Sequence, residues 1–133
     1  MSLDAETLRS SLDLVVSRRP QLTERFYELL FERNPQTQSM FTRNSREHQA
    51  VLLQQAIAAV VKNVEDPEWL TSNLKELGAR HVECGVTQEM YGWVGECLIA
   101  TLQEAAGDDW SAEIEKAWVD AYGAIATLMT STD

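Results

Sequence analysis

The sequence predicts an all-α protein. Apolar residues recur at intervals of three and four along most of the 133 residues, which is the spacing of one helix face. No Asn-Gly or Asp-Gly hairpin turn occurs, and the β-branched residues are scattered rather than gathered into alternating runs. The length fits one domain, residues 1–133, whose core needs no metal or disulfide for stability.

The first two predicted helices are bounded by prolines. Helix one should run from Asp4 to Val16, because its apolar residues share one face and Pro20 soon follows. Helix two should begin at once and stop at Asn34, since Pro35 pushes the residue before it out of the helical region. This second helix carries three aromatic residues, namely Phe26, Tyr27 and Phe31.

A connecting segment over residues 36–43 leads to a third helix, which Ser45 can cap and which should run to about Val64. The inner face of this helix is expected to carry Gln49, Leu53, Ala56, Ile57 and Val60. His48 adjoins Gln49, and either residue could be the one that points inward. The positions at helical spacing from Gln49 are consistently apolar, so we place Gln49 inward and His48 towards solvent.

The fourth helix has the clearest start and ends at a histidine. Asp66 supplies an N-cap and Pro67 occupies the first helical position. His81 ends an apolar stripe whose members lie at intervals of four, three and four residues: Leu70, Leu74, Leu77 and His81 itself. Such a histidine is more often a hydrogen-bonded core residue, but its position also suits a metal or haem ligand.

Two further helices complete the predicted fold. Thr87 can cap a helix through Leu102, and Ser111 can cap the last one. The two cysteines, Cys84 and Cys97, form no CxxC pair, which argues against a disulfide framework or a structural zinc site. Cys97 is expected to pack as a small apolar residue.

Composition limits the function classes. A net charge of -10 and a pI near 4.6 repel nucleic-acid phosphates and anionic lipid surfaces, so neither is an expected partner. No apolar run approaches the roughly 18 residues of a spanning helix, and the N-terminus has no basic or apolar leader. We therefore expect a cytoplasmic protein. CxxCH is absent as well, so any haem would bind without thioether links.

Several separated segments match one known family in order. They are Phe26-Tyr27, Phe41, Gln49 with Leu53, His81, Tyr91-Gly92-Trp93-Val94-Gly95-Glu96, Ala117-Trp118 and Ala121-Tyr122-Gly123. From the first helix to about Met129 the chain thus resembles bacterial globins, above all the globin domain of flavohaemoglobins and the single-domain bacterial haemoglobins. The resemblance implies a globin fold of about seven helices around a pocket for haem b, bound non-covalently with its iron.

The resemblance also implies roles for individual residues. His81 would be the proximal iron ligand. Tyr27 would donate a hydrogen bond to bound dioxygen, with Gln49 as a second donor and Leu53 restricting the space beside the ligand. By spacing alone, Tyr27 could equally be a core aromatic, and Phe41 and Leu53 could equally be ordinary core residues. The remaining implied haem contacts are Phe41, Tyr91 and Val94.

The network behind His81 stays open at this stage. In flavohaemoglobins the tyrosine that matches Tyr91 joins a glutamate near the end of the globin domain. Here that position falls on Asp133, whose side chain is shorter by one methylene. Cys84, three residues beyond His81, is a minor alternative as a thiolate donor.

Three functions compete. The first is a haem-binding globin that reversibly binds dioxygen and other diatomic ligands for storage, delivery or sensing. The alternative is a nitric oxide dioxygenase that depends on a separate reductase, since we expect no flavin or nicotinamide domain in this chain. A third class, a haem-free structural or signalling domain, predicts that replacing His81 by Ala changes only stability.

Overall fold

The computed structural model describes residues 3–41 and 45–130, and within these ranges the chain is helical with no β-strand. Six α-helices follow one another: α1 Ala5–Arg18, α2 Leu22–Arg33, α3 Arg46–Lys62, α4 Pro67–Glu83, α5 Gln88–Ala106 and α6 Ala112–Thr130. Two 3₁₀ helices, Pro35–Met40 and Gly107–Asp109, lie between them. The all-α prediction is confirmed.

Side-chain caps hold the starts of four helices; Ser45, Asp66 and Ser111 were predicted as caps, and Asp4 was not. In each case a side-chain oxygen accepts a hydrogen bond from the backbone N–H three residues later, which satisfies a group that the helix itself cannot. The pairs are Asp4 with Thr7, Ser45 with His48, Asp66 with Trp69 and Ser111 with Ile114.

Three helices end later than the sequence indicated. Helix α1 continues to Arg18, because Pro20 restricts only Arg19, which is extended with φ −136°. Helices α4 and α5 continue until a glycine adopts a positive φ, 88° at Gly85 and 56° at Gly107. The predicted ends at His81 and Leu102 were therefore too early, since no proline stands there and a helix continues until its backbone can turn.

The core is built mainly between α2 and α5, with α1 packed on α3, α5 and α6. Its most deeply buried side chains include Leu8, Val15, Leu22, Leu30, Cys97 and Leu102. The indole Nε1–H of buried Trp118 donates to the Oγ of buried Ser11 at 2.9 Å, which joins α6 to α1. Cys97 thus packs as a small apolar residue, as predicted.

Helix α3 packs on a different side from the one predicted. Its buried residues are Ala50 and Val61, and the Thr23 hydroxyl of α2 donates to the Ala50 carbonyl at 2.8 Å. The predicted stripe lies beside this buried side: Gln49, Leu53, Ile57 and Val60 are half-buried, and Ala56 is exposed. The inward assignment of Ala56 was wrong, because Ala56 lies at the edge of the stripe farthest from the side that packs on α2.

Helices α4 and α6 approach each other closely at one point. An ideal β-carbon built on Gly78 would lie 1.9 Å from the carbonyl oxygen of Met129, so only glycine fits this contact. Gly78 precedes His81 by three residues on the same helix. The contact therefore anchors the turn of α4 that carries the histidine.

Candidate functional site

The imidazole of His81 is half-buried and held by one hydrogen bond. Its Nδ1 lies 2.8 Å from the carbonyl oxygen of Leu77, one turn earlier in α4. A carbonyl can only accept, so Nδ1 carries the proton and Nε2 keeps its lone pair. Across residues 3–41 and 45–130, Nε2 has no hydrogen-bond partner. This tautomer is the one that a metal-ligating histidine uses.

The backbone around His81 is held as well. The Val86 N–H donates to the His81 carbonyl at 3.0 Å, across the left-handed turn at Gly85. Together with the Gly78 contact one turn earlier, this bond holds both ends of the turn that carries the ring. The position of the His81 ring is therefore set by the backbone as well as by side-chain packing.

Tyr91, at the start of α5, lies beside this histidine. The ring centroids of His81 and Tyr91 are 6.4 Å apart. The Tyr122 hydroxyl donates to the Tyr91 carbonyl at 2.6 Å, and it reaches that carbonyl because Gly95 leaves room for the Tyr122 ring. Burial raises the pKa of the Tyr91 phenol. Asp133, the candidate acid of the proximal network, lies outside the described residues, so that network stays a prediction.

A cleft of about 320 Å³ opens beside Tyr27, and we refer to it as the Tyr27 cleft. Its lining residues are Tyr27, Phe31, Gln38, Phe41, Arg46 and Gln49. The Tyr27 side chain is buried, with the rings of Phe26, Phe31 and Phe41 at centroid distances of 5.0 to 5.8 Å. These ring contacts bury most of the Tyr27 side chain.

Gln49 reaches the phenol from α3. Its Nε2 donates to the Tyr27 hydroxyl oxygen at 3.4 Å, a long bond. Burial raises the pKa of Tyr27, and the bond from Gln49 opposes that rise only in part. Tyr27 therefore stays protonated at neutral pH and keeps its O–H as a donor.

The predicted site residues fall into two groups. Tyr27, Phe41 and Gln49 share the Tyr27 cleft, whereas His81 and Tyr91 lie together outside its lining. The other two predicted contacts, Leu53 and Val94, are half-buried and pack against the main core. His48 is exposed.

Sequence reasoning missed three residues of the cleft. Phe31, Gln38 and Arg46 line it but were not assigned to a site. Phe31 follows Tyr27 by four residues and Arg46 precedes Gln49 by three, so both share a helix face with a predicted residue. Helical spacing could have identified these two, whereas Gln38 comes from the 3₁₀ helix and carries no such signal.

Other chemistry is sparse in the described part of the chain. Within it, no group of three or more His, Cys, Asp or Glu side chains could hold a metal ion. Cys84 is exposed, and burial raises the pKa of the Cys97 thiol. Among the same residues, no helix is both long enough and apolar enough to cross a membrane.

Comparison with known proteins identifies the family. The family model described as Globin matches residues 24–129. Among curated proteins, a flavohemoprotein of Vibrio cholerae is 34% identical over 123 residues, or 91% of this chain and 31% of that protein. A flavohemoprotein of Rhizobium meliloti is 33% identical over 114 residues, covering 84% of this chain and 28% of its own length. The chain thus spans about a third of the length of these relatives.

Solved structures agree on the fold. A bacterial globin from Campylobacter jejuni has a TM-score of 0.78 and 28% identity, with 92% of this chain and 88% of that chain covered. An engineered carbene transferase from Rhodothermus marinus, provisionally named as a nitric oxide dioxygenase, has a TM-score of 0.82 and 28% identity over 95% of this chain and 87% of its own. The helical order, the family model and these likenesses lead to one conclusion: the chain belongs to the globin family.

Proposed function

We propose that this chain is a haem-binding globin that reversibly binds dioxygen and other diatomic ligands, with His81 as its iron ligand. The observation that carries the proposal is the 2.8 Å hydrogen bond from His81 Nδ1 to the Leu77 carbonyl. It fixes the ring and leaves Nε2 available to bind iron.

Half-buried apolar side chains of α3 and of the segment before it support the proposal. The stripe formed by Leu53, Ile57 and Val60 is half-buried, because α3 packs on α2 through its other side. Phe41, from the segment between α2 and α3, is likewise half-buried. Haem b supplies, when bound, an iron with one position for a diatomic ligand.

Tyr27 and Gln49 would act on that ligand from the Tyr27 cleft. The Tyr27 phenol, protonated and shielded by aromatic rings, can donate a hydrogen bond to dioxygen, which gains negative charge when it binds iron. Gln49, 3.4 Å from the phenol oxygen, can orient it or donate as well. Both contacts favour dioxygen over carbon monoxide, which acquires little charge.

Nitric oxide dioxygenase activity is the second candidate. Two donors in one cleft would slow the release of dioxygen, which suits an enzyme that must hold dioxygen until nitric oxide arrives. The likeness to flavohemoproteins and to a provisionally named nitric oxide dioxygenase supports it. Nitric oxide, dioxygen and one electron together give nitrate, so a reductase must supply the electron.

The test is the absorption spectrum of the haem-loaded protein, reduced without oxygen and then exposed to air. We expect a five-coordinate ferrous spectrum that converts to a stable oxy spectrum, and we expect His81→Ala to lose both. His48→Ala, which changes an exposed histidine, is the matched control. Retention of both spectra in His81→Ala would refute the assignment of the iron ligand, and failure to take up haem would refute the function.

Addition of nitric oxide to the oxy protein separates the two candidates. Stoichiometric nitrate with repeated turnover in the presence of a reductase would establish the enzyme. Slow re-reduction with a single turnover would favour the reversible binder.

A further inference from the structure

We propose that the mouth of the Tyr27 cleft binds small inorganic anions, such as nitrate, nitrite or azide, and that Arg46 recognises them. This inference rests on the proposed function, because it concerns the same cleft. It assigns a role in ligand selection to Arg46, which was not among the predicted site residues.

Arg46 is one of three described cationic side chains, with Arg33 and Lys62, that form no ion pair within the described residues. The chain carries a net charge of -10, and most of the cationic side chains that the structure describes have a carboxylate partner. The paired cations are Arg9, Arg18, Arg19, Arg25, Arg80 and Lys116. Within residues 3–41 and 45–130, Arg46 forms no ion pair. Its guanidinium is therefore not held in an ion pair by a described carboxylate.

An aromatic ring positions the guanidinium instead. The Cζ atom of Arg46 lies 5.5 Å from the centroid of the Phe31 ring, within the range of a cation–π contact. Phe31 lines the Tyr27 cleft as well. The guanidinium is thus held at the cleft by a neighbour that leaves its N–H donors free for an anion.

The rest of the lining suits an anion. Tyr27 adds a hydroxyl donor, and no acidic residue is among the described residues that line the cleft. A volume of about 320 Å³ is ample for an anion of three or four atoms. Nitrate and nitrite are planar, and a guanidinium can donate to two of their oxygens at once.

Azide is the probe of choice, because its binding to ferric haem is read directly from the absorption spectrum. The full haem-loaded chain is titrated with azide, and Arg46→Gln is compared with Arg33→Gln. Arg33 is exposed and lies outside the cleft, so its variant removes the same charge without touching the lining. Carbon monoxide binding to the ferrous protein is the control, because this ligand carries no charge.

We expect Arg46→Gln to weaken azide binding about fivefold and to slow its association, with a smaller difference at high salt. Arg33→Gln should shift azide affinity by less than about twofold, as a distant screened charge does. Carbon monoxide association should be unchanged in both variants. Competition by nitrate and nitrite against azide should weaken in Arg46→Gln alone.

Four results would overturn the inference. Equal azide affinity in the two variants would show that only net charge matters. An equal loss of carbon monoxide affinity would show that Arg46 shapes the cleft rather than recognising charge. Faster haem loss with unchanged azide binding would show that Arg46 serves a haem carboxylate. Failure of the unmodified chain to take up haem would refute the proposed function and this inference together.

Discussion

The carbonyl oxygen of Met129 in α6 lies 1.9 Å from the position that a β-carbon on Gly78 of α4 would occupy. A clash with backbone cannot be relieved by a change of rotamer, so any larger residue must move one of the two helices. Because His81 follows three residues later, the same movement would displace the proposed iron ligand. One glycine thus links the packing of α4 on α6 to the geometry of the site.

Gly78→Ala should therefore lower the free energy of unfolding by about 3 kcal/mol. Gly123→Ala is the matched control, because it is also inside a helix and nothing lies within 4 Å of its β-carbon. In the Gly123→Ala control, the free energy of unfolding should rise by about 0.5–1 kcal/mol, because alanine favours a helix more than glycine does. Urea unfolding of both variants measures the contrast. The free energy of unfolding should fall in Gly78→Ala and rise in Gly123→Ala. A rise in both variants would show that the helices are not in contact at Gly78.

Tyr27→Phe should accelerate dioxygen dissociation about 10- to 100-fold, since it removes one hydrogen bond to a partly charged ligand, worth about 1.5–3 kcal/mol. The ring and its aromatic neighbours remain, so the fold is kept. Stopped-flow displacement of dioxygen measures the rate, and carbon monoxide dissociation, which should change much less, is the control. Unchanged dioxygen dissociation would leave Tyr27 as a core aromatic.

Ser11→Ala should cost about 1–3 kcal/mol of stability, because it leaves the buried Trp118 indole N–H without an acceptor. Ser10→Ala is the control: Ser10 is exposed and its hydroxyl donates only to the Thr7 carbonyl, at 3.3 Å. We expect a change within about 0.5 kcal/mol for that variant. Denaturant titration followed by tryptophan fluorescence compares the two, and equal losses would contradict the assigned bond.

Alkaline pH should destabilise the fold through Tyr122. Burial raises the pKa of Tyr122 above its ordinary value of about 10, and the charge of Tyr91 adds to the rise. A raised pKa means that the folded state holds the proton more tightly. The associated stability is therefore complete below pH 10 or so and is lost as the pH rises through the folded pKa.

Tyr122→Phe tests this pH dependence. The variant should lose about 1 kcal/mol at neutral pH, since the Tyr91 carbonyl loses its 2.6 Å donor. Its free energy of unfolding should then fall less steeply above pH 10 than that of the unmodified protein. Tyr91→Phe removes a phenol that is less buried, so it should reduce the pH dependence of the free energy of unfolding by less than Tyr122→Phe does. Identical slopes in all three proteins would rule out tyrosine ionisation as the cause.

The helical elements were largely predictable because their signals are local. Asp66 and Pro67 mark the start of α4 within three residues of sequence, and the structure has that helix begin at Pro67. Helix ends were predicted less well, since α4 passes His81 and stops only near Gly85, where a positive φ turns the chain. A cap is a short-range chemical feature, whereas a helix without a breaker ends where the tertiary structure allows.

The candidate site likewise contains residues that could be predicted from the sequence and residues that could not. Resemblance to bacterial globins named His81, Tyr27 and Gln49, and the structure puts the last two in one cleft. Arg46 was not named, because its importance depends on its contact with the Phe31 ring and on its forming no ion pair among the described residues. Neither fact can be read from the residues next to it in sequence. Contacts between helices decide which charges are neutralised.

By itself, the sequence determined that the chain is helical, where its helices begin and which family it resembles, because apolar spacing, caps and ordered motifs are written along one chain. Only the tertiary structure decided which side of α3 is buried, with Ala50 and Val61 inward and Ala56 exposed. It also decided that His81 donates to Leu77. Burial and hydrogen bonding depend on how neighbouring helices pack and where their backbone groups point, and residue spacing alone carries no such information.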